Sequence, residues 1–516
     1  MLARIHSAAT LGLEARVLDV EVDASLGLPR FTIVGLPDAS VREARERVRS
    51  ALRNGGYPLP DGAITVNLAP ADFRKCGAAL DLPVALGLLR LCGVGNRTGG
   101  GCARVYVGEL GLGGEVRPVR GALCLALAAR DAGFPEIVLP AANAAEAAAV
   151  GGVRVIPVAH LSETIGHVLG ERPIEPAPPP RPEAAAGPAL DFAEVRGQAV
   201  ARRAAEIAAA GGHHLLLSGP PGAGKTMLAR RLPGILPPLS LSEAIDVTKI
   251  HSVAGALPAG GGLLTAPPFR APHHGISAPG LVGGGPRPAP GEASLAHRGV
   301  LFLDELPEFR RDVLEAIRQP LEERRVAVVR AAGAVTFPCD VLLVAAMNPC
   351  PCGFLGDPRR ACLCDPRERR RYARKLSGPL LDRIDLHVPV GAVAWKDLRE
   401  SQPSEASAAV RARVLAARSR AAARHPGAPD FRNADLTPRD LPRDCALDHE
   451  GSRILETVVR RLGLSVRAVH RALRVARTIA DLSESESVTA THLSEALSYR
   501  APGALADCPN EQVDSR

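Results

Sequence analysis

The segment GPPGAGKT, from Gly219 to Thr226, has the spacing of a loop that binds phosphate groups. Its glycines let the backbone curl so that N–H groups face an anion, and the helix predicted after it adds a positive end. Lys225 would reach the β- and γ-phosphates of a nucleotide, and Thr226 would ligate Mg²⁺. A chance match in a glycine-rich turn is the alternative, but the apolar strand HHLLLS directly before the loop favours the phosphate site. The candidate nucleotide contacts are Gly219, Pro220, Pro221, Gly222, Ala223, Gly224, Lys225 and Thr226.

Two carboxylates stand at the carboxyl end of the next apolar strand, GVLFLDEL. Ligands bind at that end of the strands in an open parallel sheet. Asp304 would hold Mg²⁺ there, directly or through water, and Glu305 would polarise the water that attacks the γ-phosphate. An Asp-Glu pair alone is usually a solvated strand end. Its position after a phosphate loop in the same predicted sheet favours the catalytic role.

A third apolar strand, DVLLVAAM, ends at Asn348, whose neutral amide can hold the lytic water without adding negative charge. Two Cys-x-Cys pairs follow it, separated by a polar spacer. Four thiolates on a loop long enough to fold back on itself favour a structural Zn²⁺ whose four positions are all filled by protein. Because Cys-x-Cys is tighter than the usual Cys-x-x-Cys, four reduced and unligated thiols are the alternative. The four residues are Cys350, Cys352, Cys362 and Cys364.

The elements that must position these residues predict an α/β multidomain chain. Strand and helix patterns over residues 1–169 predict an α+β amino-terminal domain, and the proline- and alanine-rich residues 170–189 predict a semi-extended linker. Over 190–395, strands alternate with helices, which predicts a parallel sheet covered by helices. Residues 396–500 show helical spacing alone, and 501–516 form a short polar tail.

The bulk composition sets limits on location and partners. A net charge of +8, carried mostly by arginine, permits nucleic-acid binding but does not argue for it. Charges at Arg4, Glu14 and Arg16 argue against an ordinary signal peptide, and no apolar stretch approaches the roughly 20 residues of a membrane span. We therefore expect a cytoplasmic protein with reduced cysteines and no membrane partner.

The order of phosphate loop, acidic strand and polar-tipped strand resembles the AAA+ ATPases. Three longer stretches are similar to their magnesium-chelatase-like branch, and specifically to the YifB/ComM family: FRAPHHGISAPGLVGGGPRPAPGEASLAHRGVLFLDELPEF, VAAMNPCPCG and LSGPLLDRIDLH. The resemblance covers Met1 to about Arg500. It implies an AAA+ P-loop α/β core at 190–395, a C-terminal helical lid at 396–500, ATP and Mg²⁺ as cofactors, and a homo-hexamer.

The resemblance also implies that an arginine of a neighbouring subunit completes each site. The segment SGPLLDRID is similar to the part of related ring ATPases that carries this residue. Arg383 would then neutralise the charge that develops on the transferred phosphoryl group. The alternative is a surface ion pair between Arg383 and Asp382 or Asp385.

A second arginine is implied at the start of a lid helix. Arg467, in LSVRAVHRAL behind its predicted cap Ser465, resembles the sensor-2 arginine that contacts the γ-phosphate. Family members commonly read SARG where this chain reads SVRA, so Arg471 and Arg474 stay open as alternatives for this role.

Two insertions in the core are candidate DNA-binding segments. The glycine- and proline-rich stretch 263–290 is too long for a plain connection, and RRVAVVRAAGAVTFP predicts a hairpin. In the related chelatase and minichromosome-maintenance motors, insertions at these places point into the central pore. A packed hairpin with one solvated arginine is the alternative. The candidate DNA contacts are Arg270, His273, His274 and Arg330.

The amino-terminal stretch VGELGLGGEVRPVRGALCLALAARDAGFPEIVLP resembles the Lon protease domain, of the S5 domain 2-like fold. Lon-type proteolysis needs a serine activated by a lysine. Those two positions fall at about Ala79 and Leu123, which cannot do this chemistry. The resemblance therefore implies a Lon-like domain at 1–169 that lacks the catalytic dyad, in which Cys76 is a packed thiol.

Three functions remain in comparison. The family resemblance implies an ATPase that is a DNA helicase or branch-migration factor, acting on branched or single-stranded DNA in recombination or natural transformation. A magnesium-chelatase-type motor would need a partner with an integrin-like metal site, which this chain does not carry. A protein-remodelling ATPase would need an aromatic–hydrophobic pore loop, and aromatic residues make up only 3% of the chain.

Overall fold

The structure, a computed structural model, describes most of the chain but not every predicted segment. Among the sequence predictions, the second half of the linker (180–189), the tail (501–516), Cys76, the 395/396 boundary and the Arg330 side chain lie outside the described residues. Within the described part, no helix combines the length and apolar character needed to cross a membrane. The described residues are 2–71, 75, 77–94, 103–179, 190–258, 260–285, 288–330, 333–357, 360–392 and 404–500.

A mixed seven-stranded sheet organises the amino-terminal region, in the order β3-β4-β2-β1-β5-β8-β9. The β1–β2 and β2–β4 pairs are antiparallel and the other pairs are parallel. Helices α1, α2 and α5 pack on one face of the sheet, and α3 and α4 on the other. The elements are β1 (Leu2–Leu11), β2 (Glu14–Ser25), β3 (Arg30–Val34), α1 (Ala39–Asn54), β4 (Ala63–Ala69), α2 (Asp81–Leu91), β5 (Arg104–Tyr106), β6 (Glu109–Leu110), β7 (Val116–Arg117), α3 (Ala122–Asp131), β8 (Glu136–Pro140), α4 (Ala144–Ala148), β9 (Arg154–Val158) and α5 (Leu161–Leu169).

The first half of the predicted linker is extended and docked on this domain. The ring of His167 accepts the backbone N–H of Ile174 at 3.0 Å, and the N–H of Ala177 donates to the carbonyl of Val155 at 2.8 Å. Ile174 also packs against the apolar core. The docking follows from the position of β9 at the edge of the sheet, where its carbonyl groups are free to accept.

A parallel five-stranded sheet forms the second region, in the order β11-β14-β17-β10-β18. Every residue of β10, β14 and β17 is buried, as expected for strands covered on both faces. The three strands that carry the predicted motifs are therefore neighbours, in the order β14-β17-β10. The strands are β10 (Leu215–Ser218), β11 (Phe269–Arg270), β14 (Val300–Leu303), β17 (Leu342–Met347) and β18 (Leu386–Pro389).

Helices cover both faces of this sheet. On one side, α6 and α7 share an apolar core with the carboxyl-terminal helices, and on the other lie α9, α11, α13 and α14. The helices are α6 (Ala199–Gly211), α7 (Lys225–Ile235), α8 (Leu241–Ala254), α9 (Ala278–Val282), α10 (Glu292–Leu295), α11 (Arg311–Ala316), α12 (Arg318–Glu323), α13 (Pro366–Ala373) and α14 (Gly378–Leu381).

The described part of the carboxyl-terminal region consists of helices, as the spacing predicts. Val410 and Val414 of the first helix and Val475 and Ile479 of a later one join the core of the parallel sheet, so the helical lid is packed firmly on the core. The helices are α15 (Ser407–Arg424), α16 (Leu441–Asp444), α17 (His449–Leu462), α18 (Val466–Leu482) and α19 (Ala490–Ser498).

The predicted insertions form two short hairpins, β12 (Gly283–Gly284) with β13 (Ala289–Pro290), and β15 (Arg325–Arg330) with β16 (Gly333–Pro338). One face of the β15–β16 hairpin is buried through Val326, Val328, Val335 and Phe337. A Cβ atom on Gly12, in the β1–β2 turn, would lie 2.3 Å from Cγ1 of Val335, so the amino-terminal domain contacts the hairpin closely. The body of this hairpin is therefore a packed element.

Candidate nucleotide-hydrolysis site

The phosphate loop joins β10 to α7, and its glycines are required by its shape. Gly222 and Gly224 have φ angles of +76° and +88°, in the left-handed region that favours glycine. A Cβ atom on Gly219 would lie 2.0 Å from the carbonyl oxygen of Val390, so no side chain fits there. Helix α7 begins at Lys225, so its amino-terminal N–H groups border the loop.

Lys225 is held inside the loop by three oxygen acceptors. Its Nζ donates to the carbonyls of Gly219 at 2.6 Å and Pro220 at 3.0 Å, and to Oδ1 of Asn348 at 3.2 Å. Burial lowers the pKa of Lys225, while the charges of Asp304 and Glu305 act in the opposite direction. The three ammonium protons therefore point at neutral oxygens that a phosphate group can replace.

Thr226 and Asp304 form a pair of oxygen ligands suited to Mg²⁺. Oγ1 of Thr226 donates to Oδ2 of Asp304 at 2.7 Å, and the backbone N–H of Glu305 donates to Oδ1 of Asp304 at 3.0 Å. A hydroxyl and a carboxylate are the hard ligands that Mg²⁺ prefers. These two residues would hold the ion, and when bound it would neutralise charge on the nucleotide phosphates.

Glu305 lies in a tight turn at the tip of β14, with a φ angle of +52°. Its side chain is 58% exposed, and its Oε2 lies 3.2 Å from Nδ1 of His274. The rings of His273 and His274 have centroids 4.0 Å apart. Two residues predicted as DNA contacts therefore lie at the nucleotide site, and one of them pairs with the predicted catalytic carboxylate.

Asn348 follows the central strand β17 and lies between the acidic pair and the phosphate loop. Its contact with Lys225 shows that the polar strand tip and the loop meet, as the order of strands predicts. Burial raises the pKa of the Tyr372 hydroxyl to about 12, against the opposing influence of the nearby Asn348 backbone. Tyr372 therefore lies near the backbone of Asn348, while Lys225 contacts its side-chain amide.

The four cysteines converge directly beyond Asn348. Sγ of Cys350 lies 3.4 Å from Sγ of Cys352 and 3.6 Å from Sγ of Cys362, and the Cys352–Cys362 distance is 3.6 Å. All four sulfur atoms lie within 4.8 Å of one another. Zn–S bonds of about 2.3 Å in a tetrahedron give sulfur separations of about 3.8 Å, so the cluster fits Zn²⁺. A backbone hydrogen bond to Phe354 lowers the pKa of the Cys352 thiol to about 6, which favours the ligating thiolate.

Arg383 lies between α14 and β18. It is at the opposite end of the strands from the phosphate loop. Strands β10 and β18 pair in parallel, and the loop follows the end of β10 whereas Arg383 precedes the start of β18. Its Nη2 pairs with Oε1 of Glu322 at 2.5 Å, and its Nη1 donates to the carbonyl of Pro379 at 2.5 Å. The ion-pair partner is therefore Glu322, not the sequence-adjacent aspartates considered above.

Arg383 borders a cavity of about 280 Å³ that is rich in arginine. Nε of Arg383 and Nε of Arg474 are buried with no hydrogen-bond partner among the described residues. Burial alone would raise the pKa of Asp385 in this cavity, but the nearby ring of His213, 3.8 Å away, and the charge of Arg471, 3.3 Å away, hold it well below its usual range. The charged residues in the lining are Glu322, Arg324, Asp340, Arg383, Asp385, Arg432, Arg471 and Arg474.

The lid arginines divide into two groups. Ser465 caps α18 by accepting the N–H of Ala468 at 3.2 Å, as predicted. Arg467 is exposed on the first turn of that helix and does not line the cavity, whereas Arg471 and Arg474 do. Among the three arginines considered for the sensor-2 role, the geometry favours these last two.

Arg270, the remaining predicted DNA contact with a described side chain, is engaged within the chain. Its Nε and Nη2 donate to the two carboxylate oxygens of Glu292 at 2.6 and 2.7 Å.

In the amino-terminal domain, Ala79 packs against the same apolar cluster that contains Leu123. The two positions aligned with a peptidase dyad thus belong to one apolar cluster.

The sequence reasoning missed one residue that supports the phosphate loop. Nε2 of Gln198 donates to the carbonyl of Ala223 at 3.1 Å and to that of Gly391 at 2.6 Å. No local sequence pattern predicts this role, because the two partners lie 25 and 193 residues away along the chain.

A phosphate loop, an Asp-Glu strand tip and an Asn strand tip on adjacent parallel strands, with a helical lid, define an AAA+ ATPase of the magnesium-chelatase type. Three family models match: magnesium chelatase, subunit ChlI, at 191–398; subunit ChlI of Mg-chelatase at 20–143; and the subunit ChlI C-terminal model at 404–500. The chain is 43% identical to the uncharacterized protein YifB of Escherichia coli K12 over 506 residues, 97% of each chain. It is 42% identical to the competence protein ComM of Haemophilus influenzae over 509 residues, again 97% of each. The chain belongs to the YifB/ComM family.

Proposed function

We propose that this chain is one subunit of an ATP-driven homo-hexameric ring that acts on branched or single-stranded DNA as a helicase or branch-migration factor. The setting would be recombination or natural transformation. One observation supports the assembly of subunits into a ring: Arg383 and the phosphate loop lie at opposite ends of the parallel sheet. Each nucleotide site is therefore complete only when a second copy presents its Arg383.

The proposed mechanism assigns one role to each side chain at the site. Lys225 exchanges its carbonyl partners for phosphate oxygens, and Thr226 and Asp304 hold Mg²⁺. Glu305 accepts a proton from the attacking water, and Asn348 orients that water. Ligand binding would replace the contacts of Lys225 and the Thr226–Asp304 hydrogen bond, and catalysis would release Glu305 from His274.

The neighbouring subunit would supply positive charge through its cavity. Arg383, with Arg471 or Arg474, would face the γ-phosphate and neutralise the charge that develops on it. The unpartnered Nε atoms of Arg383 and Arg474 support this role, because buried donors without acceptors are costly unless a ligand satisfies them.

A stripe of arginines on α13 supports DNA as the substrate. Arg367, Arg370, Arg371 and Arg374 follow the i, i+3, i+4, i+7 spacing of one helical face, and all four are exposed. Tyr372 on the other face is buried. Such a stripe can contact a phosphate backbone without reading its sequence. The name of the competence protein among the relatives agrees with this substrate.

A magnesium-chelatase-type motor is the second candidate function, because the matching family models carry that description.

We propose that the amino-terminal domain is a Lon-like fold without peptidase chemistry that serves assembly or DNA engagement. The apolar environment shared by Ala79 and Leu123 supports this assignment.

The experiment that tests the proposal measures ATP hydrolysis with no addition, with forked or four-way DNA, and with an unfolded protein. We expect stimulation by DNA and salt-sensitive DNA binding. Changing all four stripe arginines to glutamine should abolish stimulation. The comparison variant changes Arg42, Arg45, Arg49 and Arg53 to glutamine; these residues are also exposed on one helix, α1, so the variant loses the same charge. Loss of stimulation in this variant alone would place the DNA contacts on the amino-terminal domain and not on α13. DNA that leaves turnover unchanged while the unfolded protein raises it would contradict the proposal.

We also propose that the four-cysteine cluster holds one structural Zn²⁺. The sulfur separations support it. Metal analysis of the purified protein should find one zinc per chain, and replacing Cys352 and Cys364 with serine should remove it. A protein that contains no zinc and four freely titratable thiols would contradict this part of the proposal.

A further inference from the structure

The first cysteine pair lies between two contacts with the phosphate site. Asn348, two residues before Cys350, accepts from Nζ of Lys225 at 3.2 Å. Gly353, one residue after Cys352, lies against Pro221 of the phosphate loop. A Cβ atom at Gly353 would be 2.6 Å from Cδ and 3.0 Å from Cγ of that proline, so its backbone touches the ring.

The conformation of Gly353 depends on the cysteine loop. Its φ angle is +86°, and its N–H donates to the carbonyl of Cys350 at 3.0 Å. The neighbouring N–H of Cys352 donates to Sγ of Cys364 at 3.3 Å. The second cysteine pair therefore sets the direction in which the first pair presents Gly353 to the loop.

Helix α13, which follows the second cysteine pair, also contacts the segment near the nucleotide site. Nε of Arg369, on α13, donates to the carbonyl of Cys364 at 3.0 Å. Tyr372 on the same helix lies near the backbone of Asn348. Leu363, between the second pair of cysteines, is 90% exposed, whereas Cys364 is buried. Ligation of the four sulfur atoms would restrain this segment in addition to the contacts of Cys364.

We infer that the metal held by the four cysteines positions the phosphate loop, so that the affinity for nucleotide depends on metal occupancy through Gly353 and Asn348. The inference rests on the proposed zinc site. Gly353 is a positioning residue: it contacts Pro221, on the outside of a loop whose inner face would meet the phosphates. The cysteine cluster thus has a role in the ATP site although it donates no group to the reaction.

Two glycines of the same loop provide a matched test. Gly353→Ala places a methyl group against Pro221, whereas Gly356, with a φ angle of +80°, has nothing within 4 Å of an added Cβ. Both substitutions carry the same left-handed backbone penalty, so the contact with the phosphate loop is the difference between them. The measurements are zinc content per chain and the dissociation constant of a fluorescent ATP analogue, with circular dichroism to verify folding.

The inference predicts that Gly353→Ala keeps one zinc per chain and binds the analogue about tenfold more weakly, while Gly356→Ala keeps both properties. The Cys352→Ser/Cys364→Ser variant should lose zinc and show a similar loss of affinity. Equal affinities for the two alanine variants would overturn the inference, as would a folded, zinc-free variant that binds nucleotide as tightly as the parent. If the double serine variant does not fold, zinc is removed from the folded parent with a zinc-selective chelator, and the inference predicts the same loss of affinity, restored when zinc is added back; unchanged affinity would overturn it. Failure of the DNA proposal is seen separately, as zinc-loaded parent protein that binds nucleotide but is not stimulated by DNA.

Discussion

Arg383 and Lys225 lie at opposite ends of one parallel sheet. Strands β10 and β18 pair from Leu215–Leu386 to Ser218–Pro389; Lys225 follows the end of β10, and Arg383 precedes the start of β18. The three steps between these four paired residues, at about 3.3 Å each, separate the two strand ends by about 10 Å before any loop is added. One chain cannot bring Arg383 to the nucleotide on its own Lys225 without dismantling the sheet. The proposal of hydrolysis between subunits rests on this separation.

Replacing Arg383 with alanine should slow ATP hydrolysis by about a thousandfold and leave nucleotide binding nearly unchanged. The reason is that Arg383 would contact the transition state in a neighbouring site and not the nucleotide of its own chain. The measurements are kcat and the dissociation constant of an ATP analogue. Glu322→Gln, which frees Arg383 from its ion pair, is the control and should retain activity. An Arg383→Ala variant with parental kcat would refute the assignment.

Glu305→Gln should separate binding from hydrolysis. The amide keeps the shape of the side chain but cannot accept a proton from water, so hydrolysis should fall about a hundredfold or more. ATP affinity should be retained, because Lys225, Thr226 and Asp304 are unchanged. Lys225→Ala, by contrast, should chiefly lower the affinity for ATP. Parental turnover by the Glu305→Gln variant would show that another group is the base.

His274→Ala should raise the hydrolysis rate without DNA by about threefold. His274 lies 3.2 Å from Oε2 of Glu305, and loss of a partly exposed polar contact of this kind changes the carboxylate's free energy by about 0.5–1 kcal/mol. The check is steady-state ATP hydrolysis in the absence of DNA. His273→Ala removes the adjacent ring and should leave the basal rate unchanged. A fall in the rate of the His274 variant would instead identify a direct role in hydrolysis.

The edge of the sheet that carries the site could be predicted from the sequence, because its strands are short apolar runs and each ends in a polar motif. Apolar runs such as VLFL and LLVAAM admit few placements other than a covered parallel sheet. Strand β1 was not predicted, since its mixture of small and polar residues, ARIHSAAT, gives little alternation.

The contacts that join distant parts of the chain could not be predicted. The pairs Gly353–Pro221 and Glu322–Arg383 depend on how loops return over the sheet, and no residue type or spacing marks them. Arg270 is a case in which the sequence suggested a contact that the fold does not support. Its place in an insertion made it a candidate DNA contact, whereas the fold brings Glu292 against it in a bidentate pair.

Acid should destabilise the ATPase core through His297. This side chain is 7% exposed, burial lowers its pKa to about 4, and its Nδ1 accepts the N–H of Asp340 at 3.0 Å. The unfolded chain takes up this proton near pH 6.5, so stability is fully present above that pH and is lost as pH falls toward 4. Between pH 7 and 5 the loss from this residue is about 2 kcal/mol.

The check is the thermal midpoint of the parent and of His297→Gln at pH 7 and pH 5. Glutamine can accept the same N–H but does not titrate, so the variant's midpoint should fall less between the two pH values. Equal falls for the two proteins would show that His297 does not contribute to the acid sensitivity.

The most direct test of hydrolysis between subunits is complementation of two inactive variants. Lys225→Ala lacks the nucleotide site but retains Arg383, and Arg383→Ala lacks the arginine but retains the nucleotide site. If the arginine acts in a neighbouring subunit, co-expressed mixtures of the two should recover a substantial fraction of ATP hydrolysis, since some interfaces combine one intact loop with one intact arginine. Mixed rings that are shown to contain both chains and yet hydrolyse no ATP would contradict the account.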